Sequence, residues 1–285
     1  MTFHPQPLSA CSRVIRVRRT EVHYLAWGTP TNPPLVLLHG GSAHAHWWGH
    51  LAAELAREYW VLALDLRGHG DSAWVIPPAY EIEDYVADLE DFIATLGLAP
   101  LTLLGHSLGG FIALTYASAR AEALRALVVV DVGFRLRQSR RLRLLSHLPA
   151  PVYQDEEDLL RRFRLLPPDT RAPTPLLHDM ARHSVRRLAD GRLSLKFDRA
   201  TLTREPRDLA AFLPRITCPA LFLRGGESQA LSAAALAEMV ALCPRAQGLA
   251  IPEAGHHVFL DNPAAFLGAV RDFLQDTTEE FPCKT

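Results

Sequence analysis

Short apolar runs punctuate the chain at residues 35–38, 60–64, 101–104, 124–130 and 220–223. None shows the strict apolar–polar alternation of a strand with one wet face. Burial on both faces removes that alternation, which is the habit of parallel strands inside a helix-covered sheet. Between the runs, apolar residues recur at helical period over 46–57, 82–96, 108–119 and 233–242, and a last strand near 249–251 precedes a last helix over 263–274. The start of the chain differs. Residues 14–18 and 22–27 flank Arg19-Thr20-Glu21 and predict an antiparallel hairpin. Eight strands alternating with helices predict a doubly wound, mostly parallel α/β sheet, with ligands at the carboxyl ends of its strands.

One stretch breaks the alternation. From about 133 to 214 no parallel strand is evident. Instead there are an arginine-rich helical segment over 135–148, an acidic turn Asp155-Glu156-Glu157-Asp158, and prolines at 149, 151, 167, 168, 173 and 175. An inserted helical lid over the sheet edge is expected, leaving 1–132 and 215–285 as the core domain. The arginines of this stretch, Arg135, Arg137, Arg140, Arg141, Arg143, Arg161, Arg162 and Arg164, read as a solvated helix face balanced by the acidic turn. The polar tail 276–285 reads as frayed.

Composition narrows the class. The 285 residues carry a formal net charge of −1, and Lys196 and Lys284 are the only lysines among 30 basic residues. Bulk electrostatics therefore favour neither nucleic acid nor a membrane surface as partner. The stretch Met1 to Pro7 lacks a charged start followed by an apolar run, and no apolar segment is long enough to span a bilayer. Cys11, Cys218, Cys243 and Cys283 are scattered without metal or redox spacing, so a cytoplasmic protein with free thiols is expected. Nothing in the sequence specifies an oligomeric state.

The candidate chemistry centres on Gly105-His106-Ser107-Leu108-Gly109, between the run 101–104 and a helical segment. A serine displayed on a sharp strand-to-helix turn needs glycine two positions either side, because a Cβ there would strike the adjoining strand and helix. Ser107 also needs a base. His256, in Ala254-Gly255-His256-His257 after the last strand, stands at the edge where Ser107 must lie. His257 is the alternative, and His106 is expected to face the other way and to pack or hydrogen-bond locally. Two carboxylates compete to orient the imidazole: Asp131, emerging directly from a buried strand, and Glu227, after the strand 220–223. For the oxyanion, the N–H groups of Leu108 and of Gly41, in His39-Gly40-Gly41-Ser42, are the candidates. Trp47, Trp48 and Trp74 read equally as pocket wall or core. His44, His46 and His50 lack a carboxylate pattern beside them, so no metal site is expected.

His39-Gly40-Gly41, then Asp65-Leu66-Arg67-Gly68-His69-Gly70-Asp71-Ser72, then Gly105-His106-Ser107-Leu108-Gly109-Gly110, then Gly255-His256, in that order, resemble the α/β-hydrolase superfamily over nearly the whole chain outside 133–214. The resemblance implies that 65–72 is a structural turn shaping the pocket wall. Most members place an aspartate three or four residues beyond the glycine of the turn after strand 220–223, where this chain has Ser228 and Gln229. Some small esterases resemble this chain in having Gly-Gly-x-Ser there and an aspartate after the preceding strand, which matches Asp131 and favours it over Glu227. The implied activity is a cofactor-free serine esterase acting on a small-molecule carboxylic ester through an acyl-enzyme on Ser107. Lactonase, amidase, carbon–carbon hydrolase and perhydrolase chemistry, or a non-catalytic receptor, are the alternatives. Ser107 speaks against the dehalogenases and epoxide hydrolases of the fold, which carry a carboxylate nucleophile. The absence of a lysine near His256 speaks against its hydroxynitrile lyases.

Overall fold

The computed structural model describes residues 9–18, 20–137 and 139–280, so the start of the chain, Arg19 of the predicted hairpin turn, and the stretch holding Cys283 lie outside the described residues. An eight-stranded sheet organises the molecule. Its strands are β1 (Cys11–Val17), β2 (Thr20–Trp27), β3 (Pro34–Leu38), β4 (Trp60–Leu64), β5 (Leu101–His106) and β6 (Leu124–Val130). An insertion follows β6. Within it lie β7 (Arg135–Leu136), β8 (Val152–Tyr153), β9 (Val185–Arg187), β10 (Leu193–Leu195) and β11 (Arg207–Asp208), before β12 (Ala220–Gly225) and β13 (Ala246–Ile251) complete the main sheet. The order is β1-β2-β4-β3-β5-β6-β12-β13. Only β2 pairs antiparallel with its neighbours, and every further pairing is parallel. In the hairpin, Thr20 and Glu21 pair with Val17 and Arg16, so the turn is tighter than the predicted 19–21.

The unbroken apolar runs are explained by two cores. Val36 and Leu38 of β3 join one face with Leu62, Leu64, Leu103, Val129 and Phe222. Their neighbours Leu35 and Leu37 join the other with Val61, Ala63, Leu104, Val128 and Leu223. Each fully buried side chain of this kind stabilises the fold by about 1.5–3 kcal/mol. Helices α2 (Ile82–Leu96), α3 (Leu108–Arg120) and α7 (Ala233–Leu242) cover the first face, through residues such as Phe92, Phe111 and Met239. On the second lie α1 (Gly49–Leu55), α8 (Val258–Asp261) and α9 (Pro263–Glu280), through Leu51, Phe259 and Phe266. The predicted helix 46–57 is split, with a 3-10 turn over Ala45–Trp48 before α1. Of the polar tail, residues 276–280 continue α9, and 281–285 lie outside the described residues.

The insertion is mixed rather than helical. It carries α4 (Arg140–Ser146), α5 (Glu156–Arg162) and α6 (Thr174–His183), but also a small antiparallel sheet of order β8-β10-β9 and the pair β7/β11. Arg135 and Leu136, predicted helical, pair with Asp208 and Arg207. Strands of two or three residues are too short to display a period, which is why the sequence did not reveal them.

The turn after β4 ties the sheet to the loops above it. Asp65, fully buried, accepts from Ala45 N at 2.6 Å, Asp71 N at 2.8 Å and His23 Nδ1 at 2.7 Å. Burial alone would raise its pKa. The hydrogen bond from His23 and the neighbouring His39, His44 and Asp71 amide outweigh burial and hold the carboxyl below its usual range. Gly70, at φ +54°, is where the backbone passes so close to this carboxylate that a Cβ would overlap it. Arg67 donates Nε and Nη2 to Asp88 at 2.6 and 2.5 Å, anchoring the turn to α2. Removing Asp65 strands two buried donors, Ala45 N and His23 Nδ1, and the half-buried Asp71 N, so Asp65→Ala is expected to lose about 3 kcal/mol or more of stability, measured as a lowered urea midpoint at pH 7.

Candidate active site

Chain direction reverses its lateral course between β3 and β5, and ligands bind in the crevice outside the carboxyl ends of strands at such a point. Ser107 stands there, immediately after β5. Its backbone lies at φ 52°, ψ −115°, a sparsely populated conformation for a residue with a side chain, costing about 1–3 kcal/mol. Neighbouring strands hold it. Ser107 N donates to Val130 O at 3.0 Å, Phe111 N to Ser107 O at 3.0 Å, and Gly109 N to His39 O at 3.1 Å. A Cβ on Gly105 would overlap the carbonyl of Gly109, and one on Gly109 would overlap that of Leu38. Glycine at both positions is thus a steric requirement of the turn.

The loop after β3 lies against this elbow. A Cβ on Gly40 would fall 2.9 Å from His106 Nδ1 and 3.3 Å from Ser107 Cβ, whereas the same position on Gly41 meets nothing within 4 Å. Gly41 therefore borders open space beside the serine. Leu108 opens α3, so its N–H is one of the four that a helix leaves without an internal acceptor.

Of the two carboxylates offered by the sequence, Asp131 lies beside the histidine and Glu227 does not. His256 Nδ1 donates to Asp131 Oδ2 at 2.8 Å, which leaves Nε2 as the free nitrogen of the ring. Glu227 is exposed and paired with Arg171 of the insertion, Nη2 to Oε1 at 2.8 Å. Asp131 itself is completely buried, with a left-handed backbone at φ 50°. Such an ion requires partners, and it has them. Gly225 N donates to Oδ1 at 3.0 Å, and Ser228 Oγ donates to Oδ2. Ser228 Oγ in turn accepts from Ala230 N at 3.0 Å, fixing the direction in which the hydroxyl donates. Ser228 occupies the very turn position that departed from the commoner family pattern. Nothing in the Gly-Gly-x-Ser pattern of that turn announces a hydrogen bond from Ser228 to Asp131.

The other histidines sort themselves by partner. His106 is packed among neighbouring rings, and its hydrogen bond runs to a distant residue rather than a local one. Its Nε2 meets the carbonyl of His256 at 2.9 Å, with the two rings 4.7 Å apart, so the residue before the serine holds the backbone of the histidine. Complete burial, then the neighbouring His256 and His257, keep His106 neutral by lowering its pKa well below the usual value. His257 points to the insertion, Nε2 to Pro167 O at 3.0 Å. Asp261 fastens the same loop twice, accepting from Gly255 N at 2.8 Å on Oδ2 and from Thr170 Oγ1 and Arg171 N on Oδ1. His44, His46 and His50 do not converge. His44 bonds Ser184 Oγ, His46 stacks on His183 at 3.6 Å, and His50 bonds Phe259 O. Among the tryptophans, Trp48 is core, stacked on Phe259 at 4.2 Å. Trp74 is exposed beneath Arg186, and Trp47 lines a cavity under the insertion.

A family model described as alpha/beta hydrolase fold matches residues 33–263. The chain belongs to the alpha/beta hydrolase family. This hydrolase is 29% identical over 276 residues to the sn-1-specific diacylglycerol lipase ABHD11 of Mus musculus, spanning 87% of this chain and 82% of the lipase. It is likewise 29% identical over 263 residues to N-formylmaleamate deformylase of Pseudomonas putida, spanning 88% and 92%. Among solved structures, E-2-(acetamidomethylene)succinate hydrolase matches with a TM-score of 0.81 at 25% identity, covering 94% of this chain and 100% of that one. Among the described residues, no helix of the hydrolase is long and apolar enough to cross a membrane.

The buried histidines give the molecule a defined acid sensitivity. Burial lowers His44 to about 3, and burial with the adjacent His256 lowers His257 to about 4, against 6.5 in an unfolded chain. Between these limits the unfolded state binds protons that the native state refuses, so stability falls as pH falls. The urea midpoint is expected to be flat near pH 7–8 and to decline from roughly pH 6.5 to 4, each such histidine contributing up to about 1.4 kcal/mol per pH unit. The decline becomes shallower in His257→Gln.

Proposed function

We propose that the protein is a serine hydrolase of carboxylic esters. Ser107 attacks the ester carbonyl, His256 Nε2 takes its proton and returns it to the leaving alcohol, and Asp131 holds the ring with Nδ1 protonated and stabilises it when charged. The N–H groups of Leu108 and Gly41 receive the oxyanion, each such donor being worth about 2.7–4 kcal/mol of barrier. Water then releases the acyl group from Ser107. Residues 133–214 act as a lid over the crevice, since Arg171, Thr170 and Pro167 of this insertion reach the loops carrying Glu227 and His256. The chemistry uses no cofactor, and the partner is a small-molecule ester.

The observation that carries this reading is the 2.8 Å contact between His256 Nδ1 and the buried Asp131, together with a serine held at positive φ after β5, whose neighbour His106 bonds the His256 carbonyl. The same contact supports Asp131 in the acid role, whereas Glu227 is paired with Arg171 at the surface.

Two measurements test it. A fluorophosphonate probe is expected to label the folded wild type and not Ser107→Ala; a protein inert to the probe is a receptor on this fold, and the reading fails. Ester turnover is expected to fall roughly a thousandfold or more in Asp131→Asn. In Glu227→Gln it changes by no more than about fivefold, the scale of an exposed pair. The reverse ranking overturns the assignment of the acid.

A further inference from the structure

A cavity of about 310 Å³ lies between the insertion and the loop after β3, within the size range of small-ligand sites. Ser42, the residue following Gly41, is part of its wall. Much of its wall is apolar, with Trp47, Tyr153, Phe163 and Phe197 prominent. Four arginines also line it, Arg141, Arg162, Arg164 and Arg199, and no aspartate or glutamate does. In a chain whose charges nearly cancel overall, this local excess of one sign is notable.

The arginines are poorly neutralised by the protein. Arg162 reaches Asp158 at 2.7 Å, but that carboxylate is shared with Arg161 at 2.6 Å. Among the described residues, no carboxylate stands within ion-pair distance of Arg141, Arg164 or Arg199. Arg164 donates to the carbonyls of Arg161 and Phe163, and Arg199 to those of Leu145 and Pro149, at 2.7 and 3.2 Å. Burial pushes the Arg199 guanidinium down from its usual pKa. Arg199 is half-buried, while Arg141, Arg162 and Arg164 are exposed; like charges gathered beside an apolar wall repel one another, and an anion with a hydrocarbon body relieves that cost. The planar guanidinium fork matches a carboxylate in particular.

We propose that the substrate is an ester carrying a free carboxylate at its far end, with its hydrocarbon portion against Trp47, Phe163 and Phe197 and its carboxylate on Arg199, Arg141 and Arg164. The inference rests on Ser107 acting as proposed above and adds the substrate class. The reacting carbonyl lies between Ser107 and Gly41, and the acid group lies under the insertion.

The test compares the para-nitrophenyl monoester of adipic acid with its counterpart capped as a methyl ester. In the wild type, kcat/KM is expected to favour the free acid by about ten- to a hundredfold, the scale of a charge-assisted hydrogen bond. That preference shrinks as salt is raised. It collapses toward unity in Arg199→Gln and in the double variant Arg141→Gln/Arg164→Gln, which spares the Arg199 contacts to Leu145 and Pro149. It persists in Arg143→Gln, on the same helix but outside the cavity wall. A wild-type preference at or below unity, or one left intact by both neutralising variants, overturns the proposal. So does an equal loss in Arg143→Gln, which marks a diffuse field, or a preference seen only with a phosphate-bearing ester. If neither adipate ester is hydrolysed, the esterase reading fails while the site is still tested. Calorimetric binding of adipate that is lost in Arg199→Gln and in the double variant supports it, and no binding overturns it.

Discussion

A buried carboxylate must be satisfied from several directions at once, and Asp131 transmits that requirement through the site. Its oxygens collect donors from the end of β12 (Gly225), from the turn beyond it (Ser228) and from the loop after β13 (His256). The end of β6, the turn after β12 and the loop after β13 are therefore held at one point by a single charge, and moving any of them exposes an unpaired ion in a dry environment. The serine side is built differently. Ser107 is positioned by steric exclusion and backbone bonds, with Gly105 and Gly109 allowing β5, α3 and β3 to approach closely enough to hold a strained residue. The site thus joins a rigid backbone device to an electrostatic one.

His106 connects the two. Adjacent in sequence to the serine, it bonds the carbonyl of His256 and fills the space against Gly40. It must remain neutral to sit there, since it is fully buried and flanked by two more imidazoles. The insertion meets the same neighbourhood from above through Pro167, Thr170 and Arg171.

What could be read from the sequence followed the range of the signal. Leu35 to Leu38 announces a strand buried on both faces because each residue reports its own burial, and the two cores take alternate members of that run. The Gly105 to Gly109 spacing is legible because the clashes it avoids are local to one turn. Long-range partners were not legible. Ser228 reaches Asp131 across 97 positions and His106 reaches His256 across 150, and neither residue type declares such a bond in advance. The insertion carries the expected helices, but its strands were not legible beside them, because β7, β8, β9, β10 and β11 have two or three residues each, fewer than a period needs. The hydrolase family match adds the fold that these local signals point to.

Asp261 has one oxygen on Gly255 N and the other on Thr170 and Arg171. A single side chain therefore belongs to both the histidine loop and the insertion, and loosening either segment withdraws part of the support of the other. The two segments share one free-energy term. Whatever binds beneath the insertion and orders it also favours the ordered loop of His256, and the coupling acts with equal free energy in the reverse direction.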